Sequence, residues 1–181
     1  MSRGLGDVYK RQIEVWTEGS KIVFVGKPKA EELDGKVFER EYDLKGNLLM
    51  PSFKNAHTHS AMTFLRSYAD DMPLQDWLFK QIFPMEAKLD GEKVYWLTKL
   101  AILEYLTTGC TAAFDMYFEL DDYVKACIES GFRSVLCGAV SGDKSNLERL
   151  ENNYLKYNGK DPLISFMLGF HAEYTLSLIH I

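Results

Sequence analysis

The spacing of apolar residues changes period along the chain, and each change marks an element. In EKVYWLTKLAILEYLTT (92–108), Val94, Leu97, Ala101 and Ile102 recur at helical spacing, and Gly109 suits the position just past a helix end. CTAAFDMY (110–117) is a continuous apolar run with the character of a strand covered on both faces. LDDYVKACIES (120–130) predicts a helix closed by Gly131, RSVLCGAV (133–140) a strand, NLERLENNYLKYN (146–158) a helix and LISFMLGF (163–170) a strand. Upstream, an apolar strand is expected over 48–56, followed by a helix that Pro73 opens through LQDWLFKQIF and that stops near Pro84. Residues 13–50 read differently. KIVFVGK (21–27), the alternating KVFEREYDL (36–44) and the punctuation of Gly26, Gly35 and Gly46 predict short strands and turns.

Strand and helix alternate from residue 47 onward, with four apolar strands. That is the rhythm of an α/β protein with a parallel sheet covered by helices. An open doubly wound sheet and part of a (β/α)₈ barrel fit it equally. The lack of a glycine-rich phosphate loop after the first strand weakens the nucleotide-binding form of the open sheet.

The two ends stand apart from this pattern. One codon choice for DVYKRQ (7–12) has a reverse complement that translates as LSLIHI (176–181). An inverted DNA repeat flanking an insert produces that relation, whereas protein function does not. Ser2–Gln12 also resembles a translated transposase-type sequencing adapter. Residues 1–12 and 176–181 are therefore expected to be non-native, leaving Ile13–Thr175 as the natural segment.

Of 181 residues, 46% are hydrophobic and 26% charged, and no apolar stretch is long enough to span a bilayer. Cys110, Cys127 and Cys137 lie in or beside apolar runs without paired metal-ligand spacing, as expected of buried thiols in a reducing compartment. No secretory leader pattern is visible, so a cytoplasmic location is expected. Without Arg3, Lys10, Arg11 and Asp7, the 21 basic and 26 acidic residues become 18 and 25, a net charge of −7. An acidic chain without basic clusters argues against a nucleic-acid partner.

The candidate chemistry lies in NAHTHSAM (55–62). Residues i and i+2 of a strand point the same way, so His57 and His59 project two imidazoles to one side at a strand's carboxyl end. Folds of both α/β kinds build active sites there. Imidazole suits zinc and iron, but two rings are only part of a mononuclear catalytic site.

LLMPSFKNAHTHSAMTFLRSYADDMPLQDWLFKQIFPMEAKL, with TTGCTAAFDMYF (107–118), GFRSVL (131–136) and GFHAEYT (169–175), resembles the amidohydrolase superfamily. Within it the likeness is to 5′-methylthioadenosine/S-adenosylhomocysteine deaminases and their cytosine-deaminase, guanine-deaminase and chlorohydrolase relatives. The resemblance implies the first half of a metal-dependent (β/α)₈ barrel. Residues 13–50 would be part of a flanking β-sandwich and residues 51–175 the first four βα units. It implies one divalent metal, zinc or alternatively iron, held by His57 and His59, with the other ligands and a proton-shuttling glutamate beyond Thr175. Glu86 would accept hydrogen bonds from ribose hydroxyls, Trp77 would line the purine pocket and His171 would bind substrate. Arg149 would meet a substrate carboxylate. The activity implied is hydrolytic deamination of a small nucleoside, or alternatively of guanine, cytosine or a triazine, by a full-length protein that forms homo-oligomers. The 181-residue chain alone is expected to be inactive.

Some positions depart from the family pattern. Ser52 replaces a glycine, Lys54 an apolar residue and Glu173 a proline. A second arginine expected after the third strand is missing, with Cys137 and Gly138 in its place, which puts S-adenosylhomocysteine in doubt as substrate.

Overall fold

The computed structural model describes residues 13–140 and 144–171. Two compact units divide at Pro51 and Ser52.

In the first unit, β1 (Glu14–Glu18) and β2 (Lys21–Gly26) form an antiparallel hairpin. Gly19 makes its turn with a left-handed φ of 57°. Trp16 stacks on Phe24 at 4.3 Å between ring centroids, giving the hairpin one apolar face. A single turn of helix, α1 (Ala30–Leu33), follows, and the Glu32 carboxylate accepts the Lys29 N–H at 2.7 Å. The strand expected over 36–44 does not form. Alternation marks which residues share a face, but a strand also needs a partner. Val37 is 94% exposed, and no described strand lies beside it.

In the second unit four parallel strands stand side by side in chain order: β3 (Phe53–Thr58), β4 (Cys110–Asp115), β5 (Arg133–Ala139) and β6 (Ile164–Gly169). α4 (Gly91–Thr107), α5 (Leu120–Glu129) and α6 (Lys144–Tyr157) make the crossovers. Order without reversal decides what periodicity left open. A doubly wound sheet reverses at a switch point, whereas a barrel adds each strand beside the last. The unit is part of a (β/α)₈ barrel.

The elements arise for local reasons. Asp90 caps α4 by accepting the Lys93 N–H at 3.0 Å, and Gly109 leaves the helix with a φ of 82°. Val94 and Ile102 of α4, Tyr123 and Cys127 of α5 and Leu150 of α6 meet Leu136 and Phe166 of the sheet in one core. All three cysteines are buried free thiols.

The helix after Pro73 ends near Pro84 as expected, two residues past it at Glu86, but it is not regular. Its first turn, α2 (Leu74–Asp76), widens into a π-helical segment (Trp77–Ile82) and then resumes as α3 (Phe83–Glu86). The Phe83 N–H bonds to the Leu78 carbonyl, five residues back, and Pro84 falls in the first turn of α3, where no N–H is needed.

Candidate functional site

The carboxyl ends of β3, β4 and β6 converge on the histidines. β3 is irregular just before them. Asn55 and Thr58 pair with Ala113 and Asp115, so three steps on β3 face two on β4. Such a bulge re-aims side chains. The His57 N–H is bonded by the Asn55 side-chain oxygen at 3.2 Å. His57 thus sits inside the strand, whereas His59 lies one residue past it, where a 3₁₀ turn (Ser60–Leu65) begins.

The two rings still meet, with centroids 5.3 Å apart and edge to face. His59 Nδ1 lies 2.6 Å from the Met116 carbonyl oxygen. A carbonyl only accepts, so Nδ1 carries a proton and Nε2 is the ring nitrogen left to face a metal. This backbone anchoring is typical of metal-ligating histidines, and the donor set fits a divalent metal as part of a site. Among the described residues, no cluster of three or more histidine, cysteine or acidic side chains is placed to hold a metal.

His171, just past β6, brings its ring to 5.5 Å from His59. Burial first, then the neighbouring His59 and His57 charges, hold its pKa below the usual histidine value and favour neutral imidazole. His57 and His171 line one cavity of about 220 Å³ with Met116 and Cys137. A second, open cleft of about 360 Å³ is lined by His59, Trp77, Arg66 and Glu104. The Arg66 guanidinium and Glu104 carboxylate pair there bidentately, at 2.9 and 2.8 Å.

Glu86, half-buried at the end of α3, accepts from the Tyr117 hydroxyl at 2.9 Å. Burial raises its pKa, opposed by the Tyr117 hydrogen bond and by His59. Arg149 lies exposed on α6, and no described hydrogen bond or ion pair joins it to the histidines.

Of the departures, Ser52 bonds its hydroxyl to that of Thr111, and Lys54 is exposed on β3. Glu173 and both terminal segments, 1–12 and 176–181, lie outside the described residues. A Cβ at Gly138 would approach the side-chain ends of Leu150 to 2.3 Å and of Phe166 to 2.7 Å, so a larger residue there would require both to move.

Sequence reasoning gave no role to Asp115, Tyr117 or Ser60. Asp115 is 1% exposed, and its carboxylate faces the Ser60 N–H at 3.1 and 3.3 Å. Its signal was available: an acid ending an apolar strand must find a partner.

Residues 48–179 match the amidohydrolase family, and the chain belongs to it. A 5-methylthioadenosine/S-adenosylhomocysteine deaminase of Desulfitobacterium hafniense is 42% identical over 169 residues, covering 91% of this chain and 39% of that protein. One from Halothermothrix orenii is 46% identical over 137 residues, covering 74% and 32%. The chain thus spans about two fifths of the length of the curated relatives it matches. Among solved structures, an adenosine deaminase from Xanthomonas campestris with bound zinc superposes with a TM-score of 0.72 at 30% identity, over 91% of this chain and 39% of that one. A guanine deaminase from C. acetobutylicum shares the fold, with a TM-score of 0.73 at 19% identity, over 87% and 40%.

Proposed function

We propose that the complete protein carrying this chain is a metal-dependent hydrolytic deaminase of adenosine-type nucleosides, with 5′-methylthioadenosine the favoured substrate. The observation that carries this reading is the His57–His59 pair, its second ring anchored on Met116 so that Nε2 is left free. The relatives' names support the substrate class.

His57 and His59 would hold one divalent metal, zinc or iron, as part of its ligand set. The metal would supply Lewis-acid activation of water at neutral pH. The protein's own groups would orient the nucleoside. Glu86, fixed by Tyr117, would take ribose hydroxyls, neutral His171 would hydrogen-bond the substrate and Trp77 would cover the purine from the second cleft. Arg149 would serve only a substrate with a carboxylate. Because LCGAVSGD (136–143) supplies no second arginine, the reading favours a neutral 5′-thioether over S-adenosylhomocysteine.

The test is ammonia release from 5′-methylthioadenosine, S-adenosylhomocysteine, guanine and cytosine by the complete protein, with bound metal measured alongside. His57→Ala and His59→Ala should each lower metal content and cut turnover at least 100-fold, the order of loss when a site's geometry fails. Unchanged turnover in both variants, or turnover on the free bases alone, overturns the reading.

A further inference from the structure

We propose that Asp115 is a positioning residue for the His57–His59 site, its buried carboxylate pinning the turn from which His59 reaches. This rests on the metal-site reading above.

Three successive residues of that turn are tied to the end of β4. The Met116 N–H donates to the Thr58 carbonyl at 3.2 Å, and the His59 ring bonds back to the Met116 carbonyl. The Ser60 N–H faces both oxygens of Asp115. From the other side, the Tyr105 hydroxyl of α4 bonds the Thr58 hydroxyl at 2.6 Å and that of Ser60 at 3.0 Å. Only the Asp115 bond is made by an acidic side chain withdrawn from water.

Burying a carboxylate is costly unless it is hydrogen-bonded, and Asp115 is partnered by the Tyr123 hydroxyl as well as by its bond to the Ser60 N–H. The bond acts on the residue after His59 and so fixes the backbone on which that ring swings. With Met116 holding the ring itself, β4 controls both ends of the His59 side chain. Outer groups of this kind orient ligands, and losing one typically costs 10–100-fold in metal affinity.

The experiment measures zinc affinity of the complete protein by competition with a chromophoric chelator, and the visible spectrum of the cobalt-loaded form. Thermal unfolding of the metal-free protein tracks the fold. Asp115→Ala should bind zinc about 10–100-fold more weakly and shift the cobalt bands. Asp115→Asn, which keeps an oxygen for the Ser60 N–H, should recover most of the affinity. Asp115→Leu, which fills the volume without an acceptor, replaces the alanine variant if that one does not fold. A purely structural role would lower the unfolding temperature and leave zinc affinity and cobalt bands unchanged, which overturns the proposal. If His57→Ala weakens zinc binding while the Asp115 variants do not, the metal site stands and the positioning role fails. If His57→Ala also binds zinc normally, both fall.

Discussion

Tyr117 decides how Glu86 presents itself. Its hydroxyl donates to Oε1, leaving Oε2 as the free acceptor. Burial, the Glu86 charge and this hydrogen bond all push the Tyr117 pKa far above the usual phenol value, so it remains a donor throughout the neutral range. Without it, a half-buried carboxylate would turn freely and keep a weaker hold on a ribose. A hydrogen bond to a charged group is worth about 1.5–3 kcal/mol, and part of that is recovered by water. In the complete protein, Tyr117→Phe should raise KM for 5′-methylthioadenosine about tenfold with kcat little changed, the signature of lost uniform binding. Steady-state kinetics with 2′,3′-dideoxyadenosine, which lacks the hydroxyls concerned, should show no such rise.

Between elements, one pH-sensitive link joins α5 to α6. Asp121, in the first turn of α5, accepts from Lys156 Nζ at 2.7 Å and from the Tyr157 hydroxyl at 2.8 Å. Lys156 first, then Tyr157, hold the Asp121 pKa below the usual carboxylate value. A depressed carboxylate adds stability above its unfolded-state pKa and loses it as pH falls through the folded value. The loss therefore begins below about pH 4. The carboxylate and the lysine are both more than half exposed, so the gain is at most about 1 kcal/mol. Denaturant titrations of the complete protein from pH 7 to 3 should show Asp121→Asn less stable at pH 7, with the difference shrinking as the pH approaches 3. An unchanged difference across that range would exclude the ionic link. Helices such as α4 and α5 were legible because helical periodicity and a terminal glycine act within one segment. KVFEREYDL was not, because its alternation is local while pairing depends on chain elsewhere. The π-helical segment before Pro84 was missed because such a widening leaves no trace in apolar spacing. The His pair was legible as a motif, but the bulge that aims it and the Asp115 contact below it depend on β4, fifty residues on.

As a whole molecule, the chain carries a sheet that ends before it closes. Among the described residues, β3 and β6 are its outer strands, with no further strand beside either. At the end of β6, Met167 and Leu168 are 53% and 59% exposed. Consecutive strand residues point to opposite faces, so neither face is covered there. Phe170 beyond β6 and Phe53 on β3 are 61% and 62% exposed. Each such side chain forgoes somewhat more than half of the roughly 1.5–3 kcal/mol that full burial would supply. A chain spanning about two fifths of its relatives cannot cover these edges by itself in the way eight strands do. The 181-residue chain expressed alone should therefore self-associate, bind the dye ANS and unfold without a sharp transition, and it should release no ammonia from 5′-methylthioadenosine above a His57→Ala control. Size-exclusion chromatography with light scattering and calorimetry would check this. A monodisperse monomer with a cooperative transition would mean that four βα units suffice as an independent fold, and that the exposed strand ends cost far less than their area implies.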